Sequence, residues 1–227
     1  MYCHPRRDAP QVFIRNFLTL CSECMRKDYT MNIFSDNPKK IKARIRSYER
    51  KLQEEQEEHG FINDGYGKRY LLGPLYMLID DNEGAFQSYA WFETQFPDDV
   101  GEPMQYLCWT LALYRAGDLE AAARKLCQTM LSNLYLIPRL LGQDQEKLDI
   151  WHGSNLAEKA YLEYIPPELF DLWDEAALKW VQETYNSPEM IRKRKRYIEI
   201  YRQLKNEPPG SKRSRLVQEA SKIRYAK

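Results

Sequence analysis

Four residues near the amino terminus are of the types that bind zinc. Cys3 and His4 are adjacent, and two residues separate Cys21 from Cys24. A C-x2-C pair has the spacing for half of a tetrahedral site, whose preferred ligands are thiolates and imidazoles. The adjacent Cys-His pair suits the other half poorly, because neighbouring side chains rarely converge on one ion. We therefore favour free thiols over zinc, and we predict that the chain needs no metal or other cofactor.

The other two histidines show no catalytic pattern. Neither His59 nor His152 has a recognisable nucleophile or metal-binding motif around it, and a general base needs a partner within hydrogen-bonding distance. The acidic run DDNE at 80–83 lacks the spacing of a calcium loop and fits a turn between helices. For Trp151, beside His152, we favour packing over a binding role. These residues predict a protein that is not an enzyme.

The densest run of cations is RKRKR, whose members could contact an anion. They are Arg192, Lys193, Arg194, Lys195 and Arg196. Such a run could neutralise nucleic-acid phosphates, with Tyr197 and Tyr201 placed to stack on bases. On a helix, however, five successive side chains point all the way round instead of forming one stripe. We therefore favour the acidic part of the chain as their partner, with RNA or DNA as the alternative.

Charge is segregated along a chain whose formal net charge is only +1. Residues 61–186 hold nine Lys and Arg against twenty Asp and Glu, whereas residues 187–227 hold thirteen against four. The simplest interpretation is that both regions form solvated helix faces that aid solubility. The alternative is that the basic segment docks on the acidic one, within the chain or in a dimer, or on an anionic partner.

Composition favours a folded domain of the cytoplasm. Hydrophobic residues make up 43% and aromatic residues 13% of the 227 residues, which is too much for a disordered chain. The five cysteines are odd in number and sparse, which fits reduced thiols better than a secreted disulfide framework. No apolar run approaches the roughly 18 residues of a membrane helix, so we expect no membrane association. The apolar stretch at 11–21 is unlike the hydrophobic region of a signal peptide, because Arg15 and Asn16 interrupt it.

Apolar spacing predicts helices and gives no sustained strand alternation. Residues 1–30 lack a clear period, and we expect an upstream extension or a poorly ordered tail, with Met31 as the natural start. Capping residues before Pro38 and a stop at Gly60 predict an amino-terminal capping helix within residues 31–60. The predicted helices with bounds are 38–59, 68–79, 83–94, 167–185, 188–205 and 214–223.

Two stretches of residues 61–142 carry a repeated pattern. The first combines L-G-x2-Y at Leu72, Gly73 and Tyr76 with Ala85 and Tyr89, and Pro97 closes it. The second, offset by 37 residues, is clearest in LALYRAGDLEAA, where Gly117 and Asp118 form the turn, with Ala122 four residues after the Asp. Small residues at Gly73 and Ala85 would let two helices approach closely.

Residues 66 to about 142 resemble the tetratricopeptide repeat family. The resemblance implies an all-α fold, a short stack of helical hairpins with capping helices at both ends, that binds a peptide or helix of a partner protein. By position it places four residues in the binding groove: Arg69, Tyr70, Tyr106 and Thr110. A third hairpin is visible only in outline at Asn133 to Gly142. Residues 143–186 then form a connector with a helix that packs on the repeats, and residues 187–227 form basic carboxyl-terminal helices.

Overall fold

The computed structural model describes Phe34 and residues 37–225 of the chain. Within these residues every regular element is helical and no strand occurs, so the predicted all-α class is confirmed. The candidate zinc ligands Cys3, His4, Cys21 and Cys24 lie outside the described residues, as does the expected start at Met31.

The described residues form ten α-helices. In chain order they are α1 (Pro38–His59), α2 (Lys68–Leu78), α3 (Asn82–Gln95), α4 (Pro103–Arg115), α5 (Leu119–Ser132), α6 (Leu136–Leu140), α7 (Glu168–Asp171), α8 (Glu175–Tyr185), α9 (Pro188–Asn206) and α10 (Ser211–Arg224). Two short 3₁₀ helices, Asn155–Ala157 and Lys159–Tyr164, lie between α6 and α7.

The ends of α1 follow from its sequence. Asn37 accepts a hydrogen bond from the Lys39 amide, and Pro38 occupies the first helical position. At the other end Gly60 adopts a left-handed φ of 74°, which costs glycine little. On the face of α1 that packs on α2, Ile41, Ile45 and Leu52 are buried.

Two helical hairpins form the centre of the fold. Helix α2 pairs with α3 and α4 pairs with α5, while α2 and α3 also pack against α4. A side-chain carbon at Gly73 would lie 2.1 Å from the Tyr89 ring, so α2 and α3 approach closely only because residue 73 is glycine. The Tyr89 ring then stacks on Trp109, with centroids 4.6 Å apart, and thereby joins the two hairpins.

The basic carboxyl-terminal segment belongs to the same packed body. Helices α9 and α10 lie against each other, and both contact α5. Helix α9 buries an apolar stripe at Met190, Tyr197, Ile200 and Leu204. Helix α10 buries Leu216 and Ala220.

The structure corrects two helix predictions. The single helix expected over 167–185 is two helices, α7 and α8, because the Asp174 side chain accepts a hydrogen bond from the Ala177 amide at 2.7 Å and starts α8 afresh. The outlined third hairpin at Asn133 to Gly142 contains only the five-residue helix α6.

Replacing Gly73 with Ala is expected to destabilise the fold by about 1–3 kcal/mol, because the new methyl group collides with the buried Tyr89 ring. Urea unfolding followed by circular dichroism measures the loss. Gly65→Ala is the matched control, since nothing lies within 4 Å of a side-chain carbon there and its φ is not in the left-handed region. Equal stability of the two variants would show that the close approach at Gly73 is unimportant.

Candidate functional site

Tyr106 and Thr110, two of the predicted groove residues, are buried in the interior. Thr110 is 0% exposed, and its hydroxyl donates to the Tyr106 carbonyl at 2.8 Å and lies 3.2 Å from the Thr129 hydroxyl. Tyr106 is 4% exposed, and its hydroxyl donates to the Val100 carbonyl. These contacts place the two side chains against α5 and the α3–α4 loop, where a partner would reach little of either.

Arg69 and Tyr70, the other two predicted groove residues, also contact their own chain. The Arg69 guanidinium lies 3.2 Å from an Asp64 carboxylate oxygen and 2.9 Å from Asp99. The Tyr70 hydroxyl donates to Asp99 at 2.8 Å. Burial raises the pKa of Tyr70 further than the nearby Arg69 lowers it. The four predicted groove residues thus hold this chain together, and partner binding through them stays a prediction.

Arg69 belongs to a charge cluster, which consists of Glu55, Asp64, Lys68, Arg69 and Asp99. Asp64 and Lys68 are buried, and the other three side chains are half-buried. Asp64 is 0% exposed, and its carboxylate accepts hydrogen bonds from the backbone amides of Lys68 and Arg69 at 2.9 Å each. Those amides begin α2 and would otherwise lack partners. The Lys68 ammonium lies 3.5 Å from Asp64 and 3.7 Å from Glu55 of α1. The cluster therefore joins α1, the start of α2 and the loop after α3.

The RKRKR run divides into paired and free cations. Lys193 pairs with Glu189, and Arg196 pairs with Glu199 and Glu219. The Arg194 guanidinium lies over the Tyr185 ring, 3.9 Å from its centroid. All three glutamates lie within residues 187–227, so these two cations do not pair with the acidic region 61–186 as we expected. Arg192 and Lys195 remain exposed.

Helix α4 is covered by a segment of the connector, residues 154–173. At the start of α4 the Met104 amide donates to the Tyr161 hydroxyl at 3.3 Å, and at its end Arg115 donates to the Leu172 carbonyl at 2.8 Å. The same segment contacts α2 through α7. Four of its apolar side chains, spaced four residues apart, are buried: Tyr161, Ile165, Leu169 and Trp173. With this cover, every residue of α4 from Pro103 to Ala112 is buried.

Glu102 is an ionisable side chain in the interior. It caps α4 by accepting a hydrogen bond from the Gln105 amide at 3.1 Å, yet its other carboxylate oxygen has no hydrogen-bonding partner among the described residues. The side-chain oxygen of Gln105 is unpaired in the same way. Burial raises the pKa of Glu102 from 4.5 to about 8, against the opposing effect of the backbone amides of Gln105 and Met104. Protonation would give this carboxyl group a donor in addition to its acceptors.

Lys125 is a half-buried ionisable group that no sequence pattern indicated. Its ammonium lies 3.4 Å from the centroid of the Trp109 ring and 3.6 Å from Glu93 of α3. Burial lowers the pKa of Lys125 to about 8, although Glu93 opposes the shift. No sequence motif marks Glu102 or Lys125, because their environments come from helices that are distant in the chain.

His152 lies beside an open cavity of about 590 Å³ whose walls include Tyr135, Arg139 and Lys159. The His152 ring nitrogen is 3.0 Å from the Tyr135 hydroxyl, which also accepts a hydrogen bond from the Leu148 amide. Burial lowers the pKa of His152. Lys159 is paired with Asp144 at 2.7 Å. His152 thus holds the connector against Tyr135. The described residues that line the cavity include no cysteine or serine that could act as a nucleophile.

A second cavity of about 550 Å³ forms a groove between α1 and α3, above α2. We call it the α1–α3 groove. Its lining consists of Glu49, Leu52, Gln53, Gln56, Ile62, Leu72, Tyr76, Gly84, Gln87, Ser88, Trp91 and Gln95. Leu52 and Leu72 are buried side chains, while Ile62 and Trp91 are half-buried. Its one carboxylate, Glu49, accepts a hydrogen bond from the Tyr76 hydroxyl.

Comparison of the chain with protein-family models, with curated proteins and with solved structures finds no match. Across the described residues, no helix combines the length and apolar character needed to cross a bilayer. Nor do the residues that the structure describes contain three or more His, Cys, Asp or Glu side chains grouped to hold a metal ion.

Asp99→Ala is expected to destabilise the protein by about 3 kcal/mol, because it leaves the buried guanidinium of Arg69 with one carboxylate partner fewer. The same change removes the acceptor of the Tyr70 hydroxyl. Asp98→Ala, at the exposed neighbouring position, should alter stability by less than about 0.5 kcal/mol. Chemical denaturation of both variants measures the difference, and a mild effect at Asp99 would refute a structural role for the cluster.

Glu102→Gln is expected to flatten the pH dependence of stability. The folded state binds the Glu102 proton more tightly than the unfolded state, whose pKa is near 4.5. Glu102 should therefore contribute a loss of stability as pH rises from about 4.5 to about 8, of at most about 1.4 kcal/mol per pH unit.

Urea denaturation at intervals across that pH range measures the slope. The neutral glutamine side chain removes the contribution of the carboxyl group, whereas Glu146→Gln, at an exposed connector position, should keep the wild-type slope. Parallel stability curves for Glu102→Gln and the wild type would contradict the assignment.

Proposed function

We propose that this chain is a non-enzymatic protein-interaction module that binds a peptide or helix of a partner protein in the α1–α3 groove. The observation that carries the proposal is the groove itself, a concave surface of about 550 Å³ with an apolar floor and the half-buried Trp91 in its wall. Concave, largely apolar sites with a partly exposed aromatic side chain are typical of peptide recognition.

Exposed aromatic side chains beside the groove support the proposal. Ile62 of the groove wall lies in the connection between α1 and α2, and this connection also carries Phe61, 61% exposed, and Tyr66, 71% exposed. Exposed apolar side chains that adjoin a groove enlarge the surface on which a partner can bury apolar groups. Phe61 and Tyr66 would extend the apolar surface that a bound partner contacts beyond the groove itself.

The packing order of the hairpins supports a tetratricopeptide-like stack. Helices α2 and α4 take the positions of the first helices of two successive hairpins, and they pack on each other as well as on α3 and α5. In that family the first helices line the concave groove. Here the 154–173 segment of the same chain contacts both α2 and α4. We therefore place partner binding on the other side of the first hairpin, between α1 and α3.

The lining chemistry defines the partner. Four groove residues are glutamines, namely Gln53, Gln56, Gln87 and Gln95. Three of these amides already donate within the chain, Gln53 to Glu57, Gln56 to the Gly60 carbonyl and Gln87 to Glu83. Their side-chain oxygens are uncharged acceptors. The fitting partner is an amphipathic helix with apolar residues at i, i+3 or i+4, and i+7, flanked by uncharged polar side chains. A strongly charged peptide would gain little there.

Buried thiols are consistent with a cytoplasmic location. Cys108 and Cys127 are free and buried, and burial raises the pKa of both thiols. Neutral buried thiols pack as small apolar groups and are poor nucleophiles. They support structural roles in a non-enzymatic protein.

The proposal is tested by selecting binders from a displayed library of helical peptides with the purified wild-type chain. We expect selected peptides to share the apolar spacing above and to bind Trp91→Ala at least about tenfold more weakly, since a buried aromatic anchor commonly contributes more than about 1.4 kcal/mol. Fluorescence anisotropy of a labelled selected peptide measures the affinity.

Trp180→Ala is the matched control, because Trp180 is also half-buried and also packs on one aromatic ring, that of Tyr114. Its peptide affinity should equal that of the wild type. Equal weakening by both tryptophan variants, equal binding by Trp91→Ala and the wild type, or a library that yields no binder would each overturn the proposal.

A further inference from the structure

Three cations of α9 form an exposed stripe. Arg192, Lys195 and Arg202 lie three and seven residues apart, so a helix places them on the same side. All three are exposed, and none forms an ion pair with a described residue. The stripe lies opposite the buried side chains of α9, such as Tyr197 and Leu204. At a helical rise of about 1.5 Å per residue, it is about 15 Å long.

Helix α10 carries two further exposed cations. Arg215 and Lys222 lie seven residues apart, on the side of α10 away from the buried Leu216 and Ala220. Neither has an ion-pair partner in the described part of the chain. Together with the stripe they define the cationic face, which consists of Arg192, Lys195, Arg202, Arg215 and Lys222. The one carboxylate within the α9 stripe, Glu199, is paired with Arg196.

The cationic face is held rigid by contacts between its helices. Arg196 of α9 and Glu219 of α10 form two parallel hydrogen bonds of 2.7 and 3.0 Å. Arg213 of α10 donates to the Leu204 and Glu207 carbonyls at 2.8 and 2.7 Å. A rigid array of charges binds an extended anion with little loss of backbone conformational freedom.

The aromatic rings near the cationic face stack on each other, and this stacking helps to decide which kind of nucleic acid the face can bind. Tyr197 stacks on Tyr201 with centroids 4.4 Å apart, and Tyr201 stacks on Trp151 at 5.7 Å. The expectation that the two tyrosines stack on bases is therefore wrong for this conformation. Single-stranded nucleic acids rely on such stacking, whereas a duplex presents regularly spaced phosphates that need only cations.

We propose that the cationic face of α9 and α10 binds the phosphate backbone of double-stranded nucleic acid without sequence preference. Arginine and lysine side chains on a helix reach phosphate oxygens, and neutralising them releases counterions. An anionic membrane fits less well, because Val217 is the one large apolar side chain of α9 and α10 that is exposed to enter the bilayer. This inference is independent of the α1–α3 groove.

The test measures binding of the full chain to a fluorescently labelled duplex of random sequence, about two helical turns long or roughly 20 base pairs. Affinity should fall steeply with salt, with a logarithmic slope of about −0.9 per phosphate neutralised. Replacing Arg192, Lys195 and Arg202 together with Gln should weaken binding more than about tenfold and make the slope shallower by about 2 to 3.

The control replaces three exposed cations of α1 with Gln, namely Lys39, Lys42 and Arg46. It changes the net charge equally and should leave duplex affinity close to that of the wild type. Circular dichroism establishes that both triple variants fold. Equal losses in both would show diffuse attraction, and no duplex binding at low salt would also overturn the proposal.

Two further probes separate the alternatives. A single strand of the same length should bind more weakly than the duplex, and vesicles of mixed phosphatidylserine and phosphatidylcholine should bind more weakly still. Tighter binding to the single strand would show that bases are stacked after all. Vesicle binding that matches duplex binding, and that is lost in the α9 variant, would assign the face to a membrane surface instead.

Discussion

The burial of α4 from Pro103 to Ala112 is the constraint on which the rest of the structure depends. A helical segment with no solvent-facing side must satisfy every polar side chain internally, because an unpaired buried polar group costs about 1–3 kcal/mol. Thr110 meets this requirement with Tyr106 and Thr129. Glu102 and Gln105 meet it only in part, since each keeps one unpaired oxygen. The burial of α4 also requires the cover supplied by the 154–173 segment, so the connector is an integral part of the core.

Charged groups in this protein have two different roles, and burial distinguishes them. Inside, the cluster around Asp64 and Asp99 compensates each charge with partners at hydrogen-bonding distance, as a buried ion network must. Outside, α9 and α10 use Arg196 with Glu219 to hold the helices together and leave other cations in solvent. Among the described residues, Lys205 with Asp149 is the one ion pair between residues 187–227 and the acidic region 61–186, so the segregation of charge along the sequence is not matched by a network of ion pairs between the two regions.

Residues 154–173 cover one side of α2 and α4, and this leaves the α1–α3 groove as the proposed binding surface. The sides of α2 and α4 that meet the 154–173 segment are occupied by the chain itself. On the other side, α1 packs on α2, and the described residues leave a groove between α1 and α3. The capping helix thus contributes to the proposed binding surface as well as closing the stack. Tyr106 is covered within the chain in the same way, with the Arg224 guanidinium of α10 lying 5.9 Å from the centroid of its ring.

The sequence by itself determined most of the helices and many of their local ends. Asn37, Asp81, Asp118 and Ser187 each cap a helix with a side-chain oxygen, as their residue types favour. Gly73 indicated the close approach of α2 and α3, because only a missing side chain permits it. Such features depend on neighbours within a few residues or on one helical period, so they can be read from the order of residues.

Only the tertiary structure decided which surfaces are free. The predicted groove residues Arg69, Tyr70, Tyr106 and Thr110 are taken up by contacts within the chain, because loops and helices distant in sequence pack over them. The raised pKa of Glu102, the lowered pKa of Lys125 and the exposed stripe on α9 arise in the same way. Burial and pairing depend on contacts between distant segments, and a single sequence without strong motifs does not specify those contacts.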